Sequence, residues 1–401
     1  VRPYGLFLIC FLAVAFGALN SVLSSSYLPD IVRSLAPGAD EANRGAIGAW
    51  INFGFLIGGA LGGIAMGFLS DRIGRRTVLA LALLCYGIGS GAGALASNWQ
   101  LLTWTRVLVG VGVGTALVVS AVMIAEAWEA RTRAIALGIL SVAYPVGIIA
   151  SGMVTTLLTN WRYGLGLGAM GALLAVPVLV FVRDAVRSPS VAESSRLKVL
   201  GTHRRVLCSG MLVYGTMLIG IWAAFSWLPT WVQSLLDNTL GDAASNGQSA
   251  RGLSFALLGG GGLVGGIASG WVGNTFGLRR VQAACFVLSF VLSYLLFEVS
   301  ASYTRFVEVG IACLGICFGV SQGILNTYIP ELFPATVRSA ATALCFHVGR
   351  IFTAAAVFFV GALVVWFDGY GRAIFAFSLV YVVGLLAMYV ARGTQVTLES
   401  N

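Results

Sequence analysis

The stretch Gly67-Phe68-Leu69-Ser70-Asp71-Arg72-Ile73-Gly74-Arg75-Arg76 decides how the chain is read. It gathers charge between two apolar runs, about 46–69 and 77–96, that carry none. A run of roughly 20 apolar residues is long enough to cross a bilayer as a helix. The charged stretch is therefore a short loop at a membrane surface, with glycines that permit a tight turn. Its frame returns 203 positions on, in Gly270-Trp271-Val272-Gly273-Asn274-Thr275-Phe276-Gly277-Leu278-Arg279-Arg280. A second motif repeats at nearly the same offset. Glu126-Ala127-Trp128-Glu129-Ala130-Arg131-Thr132-Arg133 is matched by Glu331-Leu332-Phe333-Pro334-Ala335-Thr336-Val337-Arg338. Both place Arg seven residues after Glu. Two parallel halves of six helices account for this spacing.

Composition agrees. Of 401 residues, 58% are hydrophobic and only 10% charged, against about 25% charged in a soluble domain. Apolar runs fall at about 5–29, 46–69, 77–96, 101–124, 134–158, 164–182, 206–231, 253–275, 281–299, 306–329, 340–366 and 372–391. They predict an all-α membrane protein of twelve transmembrane helices. The first run is long enough to span and reads as helix 1 rather than a cleavable leader. The longest polar interruption divides the chain into an N-terminal bundle (1–182), a linker (183–205) and a C-terminal bundle (206–401).

The formal charge of +9 is explained by topology. With both termini cytoplasmic, Arg2, Arg72, Arg75, Arg76, Arg131, Arg133, the basic linker, Arg279, Arg280, Arg338 and Arg392 lie inside. Only Arg33, Arg44, Arg162, Arg251, Arg305 and Arg372 lie outside. That asymmetry follows the positive-inside rule, so no nucleic-acid partner is called for. All seven cysteines sit in apolar runs and His203 and His347 are the only histidines. No metal or cofactor is expected. No nucleophile–base pair suggests an enzyme.

At this point the sequence resembles the major facilitator superfamily. Asp71, Arg72, Gly74, Arg75 and Arg76 match its signature loop between helices 2 and 3. Arg106-Val107-Leu108-Val109-Gly110-Val111-Gly112-Val113-Gly114 matches its helix-4 arginine with spaced glycines. Tyr328 to Arg338 is similar to the helix-10 ending of the sugar-porter, organic-ion and aromatic-acid branches. The resemblance implies two six-helix bundles that rock about a central cavity. It also implies a monomer in a cell membrane, with the bacterial inner membrane expected.

Charges near the loops are expected to bias the two states. Asp71 ends helix 2, where neighbouring arginines such as Arg75 and Arg76 can hold it to the facing bundle. Glu126 can pair with Arg131, Arg133 or the loop arginines, and Glu331 with Arg338 is the second copy. Asn274 replaces the acid of the second signature loop, so that side should latch more weakly.

Charges within spans are costly and point to function. Arg350 lies about ten residues into helix 11, near mid-membrane. Its setting, His347-Val348-Gly349-Arg350-Ile351, resembles the helix-11 arginine of organic-anion carriers. A guanidinium presents a planar fork to a carboxylate. His347 could carry a proton or bind the ligand. Arg106 lies nearer the outer side, with Asp30 as its expected partner. Asn20 stands where sugar porters and aromatic-acid symporters carry a proton-taking aspartate. Asn20, Ser24, Ser25, Tyr144, Tyr214, Trp222, Gln322 and Asn326 complete the cavity candidates, the last two at i, i+4 on one face. Trp227, Trp231 and Trp271 are expected as interfacial anchors.

Together these residues predict a secondary transporter of a small organic anion, a carboxylate held by Arg350, working by alternating access. Symport with protons is one form of coupling, through Asp30 or His347; uncoupled transport is another. A sugar or polyol carrier fits the amides and the helix-10 ending. A drug exporter is only partly matched by Tyr144-Pro145-Val146-Gly147. A sensor lacks support, since no soluble segment longer than the linker is present.

Overall fold

A computed structural model describes residues 3–182, 204–240, 247–333 and 338–399. The side chains of Asp71, Arg131 and Arg338, and most of the linker, lie outside the described part. Among the described residues, twelve helices are long and apolar enough to cross a membrane. They are α1 (Pro3–Ser26), α2 (Glu41–Ile73), α3 (Arg75–Ala94), α4 (Trp99–Ala127), α5 (Ala130–Leu157) and α6 (Trp161–Phe181) in the first half. In the second half they are α7 (Arg204–Leu240), α8 (Gly247–Phe276), α9 (Leu278–Val299), α10 (Arg305–Glu331), α11 (Arg338–Ala362) and α12 (Tyr370–Tyr389). A short helix, Leu28–Leu35, follows α1.

The sequence repeat is visible in the backbone. Gly74 and Gly277 adopt φ of 95° and 86° at the starts of α3 and α9. Only glycine adopts that region without strain, and here it turns the chain straight back into the membrane. At the opposite end, side chains close the turns. Asp40, Asn98 and Asn160 accept from backbone N–H groups at the starts of α2, α4 and α6, at 2.8–2.9 Å. Such caps contribute about 1 kcal/mol each.

Helix pairing repeats too. In the first bundle α1 packs on α5, α2 on α4, and α3 on α4; in the second, α7 packs on α11, α8 on α10, and α9 on α10. The bundles meet through α2 with α11 and α5 with α8. Small residues set these contacts, because in lipid close van der Waals approach replaces the hydrophobic drive. Gly110 lies on the Phe55 and Gly59 backbone, and Gly152 lies on Gly252, where any side chain would collide.

Contacts between the bundles crowd toward the end away from the 67–76 loop. Arg251 of α8 pairs with Asp30 of the short helix, and Arg33 with Asp237 at 3.5 Å. Gln248 donates to the Thr155 and Leu158 carbonyls at 2.5 and 2.6 Å. At the basic end, several helical glycines have open space beside them. A Cβ added at Gly67, Gly138 or Gly270 would meet nothing within 4 Å.

Three expectations need correction here. Arg251, expected outside the spans, is 2% exposed and lies within α8, because Gln248 and its neighbours extend the helix past the apolar run. Asp30 therefore finds Arg251 and not Arg106. Trp227 and Trp231 are buried rather than anchored at an interface. Trp227 donates to the Val357 carbonyl at 3.0 Å and fills the space left by Gly48 and Gly361, so it packs where the bundles meet. Trp271 is 69% exposed.

Candidate functional site

Midway along the bundle contact, α11 presents Phe346, His347 and Arg350 toward the first bundle. Arg350 is 4% exposed. Its guanidinium rests on Gly59 of α2, where an added methyl would strike it, and lies 5.5 Å from the Phe346 ring centre. Its Nη1 has no protein partner. Tyr144 of α5 and Tyr214 of α7 lie within electrostatic reach, and among the described residues no carboxylate does. A charged group buried at this depth without a counter-ion is costly. Arginine does not escape by losing its proton. The site is thus one charge short of neutral.

His347 is half-buried, one turn back, and packs beside Gly63, whose added Cβ would lie 2.9 Å from the imidazole Cε1. Its Nδ1 also lacks a protein partner. Gly59 and Gly63 share one face of α2, so two glycines four apart make room for both side chains.

Neutral polar groups border the cation. Gln322 donates to the Tyr214 hydroxyl at 2.8 Å, and that hydroxyl donates to Asn326 Oδ1 at 3.1 Å. Tyr214 also meets Phe346 edge-on at 5.3 Å. From the first bundle, the Tyr144 hydroxyl donates to Ser21 Oγ at 3.0 Å. Trp222 packs against Phe55 of α2, with ring centres 5.6 Å apart. Arg350, His347, Tyr144, Tyr214, Gln322 and Asn326 thus come together, with Trp222 bordering them.

Other expected residues are placed elsewhere. Asn20 turns toward α6, donating to Gly168 at 3.1 Å and to Phe16 at 2.9 Å. Ser25 donates to Asn52 at 3.1 Å within the first bundle. At the basic end, Arg75 pairs with Glu126 and Arg76 donates to the Leu179 carbonyl. Arg133 donates to the Trp128 carbonyl at 3.3 Å, closing the end of α4. These contacts all lie within the first bundle. Glu331 ends α10 and is exposed. Sequence reasoning missed Gly59, Gly63, Phe346 and Ser21. The α2 glycines carried a signal in their small-xxx-small spacing.

The sequence pattern of the Major Facilitator Superfamily matches residues 6–354. The chain belongs to this family. It is a multi-pass membrane transporter and not an enzyme. The niacin transporter NiaP of Acinetobacter baylyi is 26% identical over 96% of this chain and 94% of its own. The gallate transporter of Pseudomonas putida is 25% identical over 85% of this chain and 81% of its own. Among solved structures, a D-xylose-proton symporter superposes with a TM-score of 0.80 at 17% identity, covering 98% of this chain and 97% of that one. At that identity the likeness concerns the fold.

Proposed function

We propose that this transporter moves a small carboxylate by alternating access, with Arg350 as the anion's partner. The observation that carries this reading is the buried guanidinium at the bundle contact, which has no counter-ion among the described residues. Phe346 supplies an aromatic wall beside it, and the Gln322–Tyr214–Asn326 cluster offers hydrogen bonds to ring substituents. Niacin and gallate, the cargoes named for the two relatives, each join a ring to one carboxylate, which is what such a site would hold. Both halves of the site come from one chain, so a monomer suffices.

In this reading the basic end faces the cytoplasm, by the positive-inside rule, and the Asp30–Arg251 end faces the outside. His347, adjoining Arg350, is the group assigned to carry a coupling proton. Counterflow in proteoliposomes tests the proposal. External labelled benzoate should accumulate in vesicles preloaded with unlabelled benzoate. Accumulation of neutral sugars instead would favour a sugar carrier held by the amide cluster.

A further inference from the structure

The first bundle holds a second buried arginine that nothing above has used. Arg106 of α4 is 2% exposed, with Nε and Nη1 both lacking protein partners. Its Nη2 donates to the Ser21 carbonyl at 3.2 Å, and its guanidinium lies 4.8 Å from the Phe55 ring centre. Asp30, the acid nearest to it in expectation, is taken by Arg251. Asn20 supplies no charge and is turned to Gly168. Among the described residues Arg106 is therefore as short of a counter-ion as Arg350.

The two cations are arranged about shared residues. Phe55 and Gly59 lie one turn apart on one face of α2, about 6 Å along its axis. Arg106 lies over Phe55, and Arg350 rests on Gly59. Ser21 joins them from the other side. Its carbonyl accepts from Arg106, and its hydroxyl accepts from Tyr144, which is within reach of Arg350. One turn on from Ser21, Ser24 carries a further buried hydroxyl without a partner. Each bundle thus brings one unmatched guanidinium to the same short stretch of α2.

We propose that Arg106 is a second anion site, and that the cargo is a dicarboxylate whose two ends engage Arg350 and Arg106. This rests on the carboxylate reading of the Arg350 site. A dianion of that length would neutralise both buried charges and tie one bundle to the other. A monocarboxylate would leave Arg106 unmatched. Terephthalate, a rigid ring with a carboxylate at each end, serves as the probe.

The test compares terephthalate with benzoate by ligand-induced thermal shift and by competition in counterflow, in chloride-free gluconate buffer. Wild-type protein should bind terephthalate at least tenfold more tightly than benzoate. In Arg106→Gln that ratio should fall to about one, and Arg106→Lys should recover part of it. The melting temperature without ligand shows whether each variant folds, and the wild-type ratio stands without either variant. A wild-type ratio near one, with benzoate still bound, would overturn this inference and leave the carboxylate reading standing. Failure of both acids to bind would remove the carboxylate reading and this inference with it. A ratio unchanged in Arg106→Gln would overturn it as well. So would chloride that stabilises wild type but not Arg106→Gln, with no terephthalate preference, since Arg106 would then hold a free ion.

Discussion

Arg251 and Asp30 form an ion pair from one bundle to the other, and Arg251 Nη1 donates to Gln233 Oε1 at 2.8 Å. The arginine is 2% exposed and the aspartate side chain 28% exposed. This pair fastens the end of the molecule opposite the signature loop. Separating the bundles at that end would break it, so it favours the state in which that end is closed.

Asp30→Asn should therefore shift the population toward opening at that end. Removing one partner of a buried pair costs about 3–5 kcal/mol, and the partial exposure of Asp30 brings the expected figure to about 2 kcal/mol. A cysteine placed at Ser254, fully buried here, should label faster in the Asp30→Asn background. Equal labelling in both backgrounds would show that the pair does not hold this end shut.

Gly59→Ala should displace Arg350, because the added methyl meets its guanidinium. Carboxylate affinity should drop tenfold or more, on the scale of one charged hydrogen bond. Gly260→Ala is the contrasting change. Nothing lies within 4 Å of its added Cβ, and replacing a helical glycine stabilises by about 0.5–1 kcal/mol. Binding curves and melting temperatures of the two variants check both statements.

The Arg75–Glu126 pair joins α3 to α4 inside one bundle, with side chains 25% and 35% exposed. Pairs this open contribute about 0.2–1 kcal/mol and weaken with salt. A double-mutant cycle with Arg75→Gln and Glu126→Gln should give a coupling below about 1 kcal/mol. A value well above that would mean the pair is shielded from water in the state that dominates in solution.

The twelve spans and the repeat were legible because a bilayer imposes length and apolarity on each helix separately. Arg350 was legible for the same reason: a charge within a span stands out. Gln322 and Asn326 could be paired from their spacing on one helix. Their link to Tyr214 needed the packing of α7 on α10. Partners far apart in sequence were not legible. Asp30 was matched to Arg106, the arginine on a neighbouring span, whereas helix packing brings it Arg251, 221 residues away. Trp227 misled because a tryptophan near a span's end usually sits at the lipid–water boundary. Here Gly48 and Gly361 open a slot for it, and that slot exists only once three helices meet.

The most direct measurement is the affinity of purified protein for benzoate, by titration calorimetry or thermal shift, with and without Arg350→Ala. If Arg350 is the anion partner, wild-type protein binds and the variant loses tenfold or more, while its melting temperature without ligand shows that it still folds. Benzoate bound equally well by Arg350→Ala would contradict that role. So would stabilisation by neutral sugars alone, unchanged in the variant.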